Sequence, residues 1–369
     1  MTRGFSDLVP ALLGAAGLPT QFKLSHIRGG ANNRVYRVVT LAGDALLKVY
    51  FHHEGDARDR LGTEFSFCQF AWDAGLKLTP RPLSRDPRHG LGLYEFIRGR
   101  VLCPSDVIHE HVLTALTFYR DVNRKSAQPA ARVLPIASEA CFSIAAHIGC
   151  VERRLDRLGS IPRSSSIERD AESFVKTDLN TVWDRVRHLA WKEAAGAGVE
   201  LSDELTTSER RLSPSDFGFH NAILQEDGQL RFIDLEYAGW DDPAKLVCDF
   251  FCQPAVPVNR VWLEELAAAI AEDQPDPDRF LRRCAILWPV YQVKWCCILL
   301  NDFLVEGEAR RGFALKQNQK DQRRARQLEK SKRMLGSLAE WPRELWERQA
   351  RAEPSVCVAG SPLRRKDEP

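Results

Sequence analysis

An excess of charge of either sign is missing. The 52 Lys and Arg stand against 50 Asp and Glu, a formal balance of +2 with His neutral. A chain without a basic surplus is not expected to be a wholesale nucleic-acid binder. No C-x-x-C pair and no H-E-x-x-H occurs, so a zinc site is not expected. The ten cysteines have no framework spacing. Adjacent Cys296 and Cys297, and Cys248 and Cys252 one turn apart, read as small apolar packing residues. The histidines cluster locally only as His52-His53 and His109-x-His111, which suit solvated or core roles. No unbroken run of about twenty apolar residues exists, so no membrane partner is expected. Asp7 and Pro10 interrupt the apolar part of the first twenty residues, unlike a secretory signal, and a cytoplasmic location is expected. No internal repeat is visible. What remains is 44% hydrophobic and 28% charged, an ordinary globular composition, in a chain long enough for one large core or two modest ones.

Taken in order, Phe5 to Gly17 reads as an opening helix stopped by Gly17 and Pro19. Phe22 to Arg28 and Val35 to Thr40 read as strands joined by the turn Gly29-Gly30-Ala31-Asn32-Asn33. A Gly-rich turn of this kind can lay backbone N–H groups against phosphates, although most are only turns. Ala45 to Tyr50 is a third strand carrying Lys48. From Asp56 to Ala74, Leu61, Phe65, Cys68 and Trp72 fall at helical spacing, and Glu64 borders the same face. Thr79 to Arg85 and Gly90 to Phe96 read as two more strands. From about Ser105 the chain turns helical: Ser105 to Val122, Ser138 to Leu158, Phe174 to Ala195 with Trp183 and Trp191 on its apolar side, Asn259 to Glu272 and Pro277 to Phe303. The four serines within Ser160 to Asp170 point to an exposed loop, and Gly196 to Ser208 to a linker. Lys316 to Arg333 has eight basic residues against two acidic ones and reads by default as a solvated helix face. That shift in composition divides the chain into an N-terminal lobe (1–98), a C-terminal lobe (99–340) and a tail (341–369) expected to be largely disordered.

The densest pattern lies between Arg211 and Phe250. Asp216 is followed five residues later by Asn221. Then come Ala222-Ile223-Leu224, Glu226-Asp227-Gly228, and Leu230 to Asp234, a hairpin signal that should bring Asn221 and Asp234 side by side. An aspartate that orients a hydroxyl, with an Asn and an Asp offering hard oxygen ligands to magnesium, is the minimal kit for kinase-type phosphoryl transfer.

The series Asp216-x-x-x-x-Asn221, Ile233-Asp234-Leu235-Glu236, Gly239-x-x-Asp242-Pro243 and Asp249 resembles the core of the aminoglycoside phosphotransferase and choline kinase-like family. One departure is clear: Pro214-Ser215 stand where that family has His-Gly. The resemblance implies an α+β, two-lobed protein-kinase-like fold with a small β-rich N-lobe and a larger, mainly helical C-lobe. It implies Asp216 as the catalytic residue, and Asn221 and Asp234 as ligands of Mg²⁺. Gly29, Gly30, Asn32 and Lys48 would bind the phosphates of ATP (or GTP), with Glu64 steadying Lys48. Glu95, Phe96 and Ile97 would form the hinge that hydrogen-bonds adenine. The implied activity is phosphorylation of a small-molecule hydroxyl. A non-catalytic nucleotide-binding module is the alternative that the Pro214 departure raises.

Asp216-Phe217-Gly218 spells the metal tripeptide of protein kinases. No His-Arg-Asp precedes it and no Ala-Pro-Glu follows, so that class is disfavoured. The acceptor stays open at this level. Aminoglycosides or choline would need an acidic pocket, whereas Lys294 and the basic helix would suit a phosphorylated or sugar-acid acceptor. Lys294, on a mostly apolar helix, reads equally well as a snorkelling surface lysine.

Overall fold

The computed structural model describes residues 3–27, 33–52, 58–304 and 320–338. Gly29, Gly30 and Asn32 of the Gly-rich turn, and the tail 341–369, lie outside them. Two short helices open the chain, α1 (Arg3–Ser6) and α2 (Val9–Ala15), stopped by Gly17 at φ 69°. An antiparallel sheet follows from β1 (Phe22–Ile27), β2 (Arg34–Thr40), β3 (Gly43–Val49), β4 (Pro82–Asp86) and β5 (Leu91–Glu95), in the order β1-β2-β3-β5-β4. Helix α3 (Arg60–Asp73), inserted between β3 and β4, starts where Asp59 accepts a hydrogen bond from the Gly62 amide. The strand period of two puts Tyr36 and Val38 of β2, and Ala45 and Leu47 of β3, on one face. With Leu91, Leu93 and the inner side of α2 they form a small core.

The next segment is largely helical. After β6 (Arg100–Val101) come α4 (His109–Arg124), α5 (Pro129–Arg132), α6 (Ile144–Leu158) and α7 (Ser166–Phe174), the last running through a π turn into α8 (Asn180–Gly196). Short strands follow, β7 (Arg211–Ser213), β8 (Ala222–Leu224), β9 (Leu230–Phe232) and β10 (Gly239–Asp241), then α9 (Pro243–Cys252), α10 (Leu263–Ala271), α11 (Pro277–Leu300) and α12 (Lys320–Gly336). Helix α11 is the axis of this part, packed by α6, α8, α9 and α12. Phe67, Cys68 and Phe70 of α3 belong to the large core around α11 and not to the small core of the sheet. One helix therefore joins the two bodies of packing.

Several local expectations need correction. The segment Ser160 to Asp170 is not all loop: Ser165 and Glu168 form a reciprocal capping box that starts α7, so the serines mark a helix start. Ser138 to Ser143 precedes α6 and is not helical. Trp183 is buried, but Trp191 is 55% exposed. The basic helix is only partly solvated, because α12 buries Arg324, Leu328, Ser331 and Leu335. Although charges interrupt its apolar stretches, the segment Pro277–Phe303 is by length and composition apolar enough to cross a membrane, its most apolar window of 18 residues having a mean hydropathy of 1.2. Its most apolar window is 72% buried by the rest of the chain, as befits a core helix.

Candidate active site

The hairpin of β8 and β9 is built as its sequence demands. Gly228 takes φ 84° in the turn, and the Gln225 amide donates to the Gln229 carbonyl to close it. At the other end the Ile233 amide donates to the Asn221 carbonyl at 2.9 Å, so the chain enters and leaves the hairpin at neighbouring points. Strand β6 lies on its outer edge, pairing Arg100 with Leu224 and Val101 with Ile223. Gly99, just before β6, has no room for a side chain: a Cβ there would lie 2.5 Å from the Leu224 carbonyl oxygen. On the far side Phe232 donates its amide to Leu78, and Arg231 reaches the Thr79 carbonyl and the Glu95 carboxylate at 2.8 and 2.6 Å. The hairpin is thus clamped between the segment after α3 and the segment after β5.

Lys48, pointing from β3, meets this hairpin. Its Nζ donates to Glu64 of α3 at 2.6 Å and to Asp234, and lies 3.9 Å from Glu236. Lys48, Glu64 and Glu236 are buried, while Asp234 is partly open. Burial disfavours the ammonium, yet Asp234, Glu64 and Glu236 together hold its pKa well above the ordinary lysine value. Glu64 is fixed in turn by the Tyr50 hydroxyl at 2.6 Å and the Leu235 amide at 3.3 Å, and Tyr50 meets the Tyr94 hydroxyl at 2.8 Å. The fully buried Glu236 accepts from Asn33 at 2.6 Å and from Arg60 at 3.4 Å. Burial first, then the neighbouring Asp234, push its carboxyl above the usual range. Glu64, Asp234 and Glu236 lie close enough to share a cation, and the ammonium of Lys48 stands among them.

Asp216 stands in the loop between β7 and the hairpin. Its main-chain carbonyl and Oδ2 accept from the Asn221 amide group at 2.9 and 3.3 Å, and Oδ1 meets His220 Nε2 at 3.2 Å. The side chain is 38% accessible toward a cavity and enclosed by protein elsewhere. Enclosure pushes the carboxyl up, but His220, Lys294 and Asn221 together hold it below the ordinary aspartate value, so it stays a carboxylate. The preceding Ser215 has φ 68°, a left-handed conformation that glycine adopts readily and serine only with strain. This is the position of the expected glycine. The serine is held by its amide donating to Ser213 Oγ at 3.0 Å and its hydroxyl accepting from Lys245 at 3.1 Å.

The cavity beside Asp216 measures about 310 Å³. Lys294 does not snorkel: it is buried, donates to both Asp249 oxygens at 3.1 and 3.0 Å, and lies 4.5 Å from the Tyr291 ring centre. Trp295 Nε1 donates to the same carboxylate at 2.8 Å. Lys245 pairs with Asp241 at 2.6 Å, and Arg154 donates to both oxygens of Glu139 at 2.6 and 2.7 Å. Asp242, part of the motif, has a structural task. It caps α9 through the Ala244 amide and accepts from His147 of α6 and Arg283 of α11.

The structure therefore brings Lys48, Glu64, Asp234, Asn221 and Asp216 to one hairpin base. Glu95 is near but engaged: its amide donates to the Arg81 carbonyl and its carboxylate holds Arg231. Phe96 stacks with Arg37 at 5.0 Å, and Ile97 is buried. His220, Lys245, Glu236 and Asn33 join the site without a role expected from the sequence, although each has a local signal: His220 and Lys245 sit four residues beyond Asp216 and Asp241, and Glu236 and Asn33 lie inside the motifs. Glu139 and Arg154 carried none.

Comparison with known proteins agrees with this geometry. A search of curated proteins finds no match. Among solved structures the chain is similar to a choline/ethanolamine kinase family protein from Mesorhizobium loti, at 17% identity and TM-score 0.54, covering 89% of this chain and 94% of that one. It is similar to a spectinomycin phosphotransferase solved with ADP and spectinomycin, at 12% identity and TM-score 0.59, covering 90% and 97%. It is also similar to a choline kinase from Streptococcus pneumoniae, at 15% identity and TM-score 0.56, covering 91% and 99%. At these identities the likeness establishes the α+β kinase-like fold. The sequence profile of the phosphotransferase enzyme family matches residues 23–281, most of the chain. The chain belongs to the phosphotransferase enzyme family.

Proposed function

We propose that this protein is an ATP-dependent phosphotransferase that phosphorylates a hydroxyl of a small molecule. The observation that carries the reading is the meeting of Lys48, Glu64 and Asp234 with Asn221 and Asp216 at one hairpin base, beside a cavity of small-molecule size. Family relatives described as choline kinase and spectinomycin phosphotransferase, the latter solved with ADP, support it.

ATP is the donor substrate. Lys48, kept charged by its carboxylates, would neutralise its phosphates, and Glu64 would fix the ammonium's direction. Phe96 and Ile97, after the last strand of the sheet, would offer backbone groups to the base, since the Glu95 amide serves the sheet. The donor set fits magnesium: Asp234 offers a carboxylate, and Asn221, whose NH₂ is turned to Asp216, offers its carbonyl oxygen. When bound, Mg²⁺ would offset phosphate charge at those two residues. Asp216 would accept a hydrogen bond from the acceptor hydroxyl and aim it. Held as a carboxylate by His220 and Asn221, it is a weak base, so its contribution is mainly orientation and charge.

Asp216→Asn tests this reading. Transfer should fall by roughly 10²–10⁴-fold, while calorimetry finds ATP-analogue affinity near wild type. A mutant that retains turnover would remove Asp216 from catalysis. A wild type that binds Mg-ATP but phosphorylates nothing would favour a non-catalytic module.

A further inference from the structure

Of the two departures from the family pattern that precede Asp216, only Ser215 adds a hydrogen-bonding side chain, where the expected glycine has none. Ser215 is 4% exposed and lines the cavity beside Asp216, as does Lys245. Lys245 Nζ donates to Ser215 Oγ at 3.1 Å, so two lining residues meet at that hydroxyl.

Charge fixes the direction of that bond. Burial opposes the ammonium of Lys245, but Asp241 at 2.6 Å and Asp249 at 3.8 Å hold its pKa above the ordinary lysine value. An ammonium has donors only, so the serine oxygen accepts here and its own proton is left to donate elsewhere. Among the described residues no group accepts that proton. A buried hydroxyl donor without a partner is costly, and a cation bonded to its oxygen strengthens it as a donor. The space it adjoins is the one in which an acceptor would meet Asp216.

Resting on the phosphotransferase reading above, we propose that Ser215 binds the acceptor: its hydroxyl donates to a second acceptor oxygen, on the carbon beside the reacting hydroxyl. The acceptor is then a polyol or sugar with vicinal oxygens and not a simple alcohol. Neighbouring residues share the task. Asp216 accepts from the reacting hydroxyl, while Ser215, one residue earlier, donates to the oxygen next to it. The left-handed φ of 68° has the same explanation: glycine would relieve it but would carry no donor.

The test uses the full chain with Mg-ATP and acceptors paired by the presence of a vicinal oxygen. Ethylene glycol is set against ethanol, myo-inositol against cyclohexanol, and glucosamine against choline. Transfer is read by phosphorus NMR and Mg-ATP affinity by calorimetry. The first member of each pair should be preferred about tenfold in kcat/KM, the scale of one hydrogen bond.

Lys245 also neutralises buried Asp241, so the variants are made at Ser215. Ser215→Gly removes the donor and takes the φ without strain, so it is expected to fold. It should cut the preference to about twofold or less, through KM, with Mg-ATP affinity kept. Ser215→Ala, which keeps the strain, should lose the preference equally while being the less stable of the two. Discrimination that follows the hydroxyl while stability follows the backbone is a pattern that a purely structural serine does not give. Equal rates within the pairs in the wild type, or a preference that survives Ser215→Gly, overturns the proposal. A fall in kcat shared equally by every acceptor does so too, since Ser215 would then only position the loop. In each of those cases wild-type transfer stands, and the phosphotransferase reading with it. No transfer to any member would defeat both.

Discussion

At the scale of single residues, the departure from the family pattern at Pro214-Ser215 turns out to be a backbone question. Ser215 sits at φ 68°, where a Cβ is costly and glycine is not. Its hydroxyl accepts from Lys245, which offsets part of that strain. Ser215→Ala keeps the strain and loses the bond, while Ser215→Gly loses both. The usual order is therefore expected to invert: the glycine variant should be more stable than the alanine variant by about 1 kcal/mol in urea unfolding. Alanine equal to or better than glycine would show that the loop relaxes. Lys48 poses a harsher test. Lys48→Met strands buried Glu64 and Glu236 beside Asp234, although Arg60 and Asn33 still serve Glu236. A loss of about 3 kcal/mol is expected, together with weaker nucleotide binding. Unchanged melting and unchanged nucleotide affinity together would contradict the buried pairing.

At the scale of elements, Asp242 ties three helices. It caps α9, accepts from His147 of α6 at 2.9 Å and from Arg283 of α11 at 2.5 Å, and Tyr291 donates to the other nitrogen of His147 at 2.8 Å. That assignment makes His147 a neutral imidazole carrying its proton on Nε2. Asp242→Ala leaves Arg283 buried without its carboxylate and should cost about 3–5 kcal/mol. The same network sets an acid sensitivity. Burial pushes the His147 imidazole below its ordinary 6.5, so the unfolded chain binds the extra proton first and stability falls as pH drops below that value. Burial would raise the Asp242 carboxyl, but Arg283 and His147 bring it from 3.8 to about 2, so its share is lost between those values. Urea midpoints at pH 8, 6 and 4 should decline in that order; a flat series would mean that the network does not hold the helices. These elements also show what the sequence could and could not reveal. The hairpin, the opening strands, α3 and the Lys48–Glu64 pair were legible because turn chemistry and helical spacing are local signals. The contacts of His147 with Asp242, Arg154 with Glu139, and Glu95 with Arg231 join residues 95, 15 and 136 positions apart, with no periodicity to mark them. Lys294 was ambiguous for a related reason. Whether a lysine snorkels depends on what packs outside it, and here that is Asp249 of another helix.

At the scale of the whole molecule, the question is what shields α11, the long helix on which the helical part is packed. On one side the cover is α12, whose sequence looks like a solvated basic helix. Leu328 and Leu335 are buried, and the Ser331 hydroxyl donates to the Cys296 carbonyl at 3.1 Å. Arg324 donates to Glu168 of α7 at 2.8 Å and to the Asp302 carbonyl at 3.0 Å, while Arg323 holds the Asp302 carboxylate at 2.7 Å. A chain ending at residue 319 would lose two leucine burials of about 2 kcal/mol each and leave the buried Glu168 without its arginine, about 3 kcal/mol more. Domain stabilities lie at about 5–15 kcal/mol, so this is a large share of the total. The truncated protein is expected to aggregate or bind a hydrophobic dye at temperatures where the full chain does not. Arg324→Met, which keeps the helix and removes the arginine's bonds to Glu168 and the Asp302 carbonyl, should lower stability by about 3 kcal/mol and leave the oligomeric state unchanged. A truncated chain that melts with the full-length protein and associates no more than it does would make α12 an appendage, and the shielding of α11 would then have to come from α6, α8, α9 and α10.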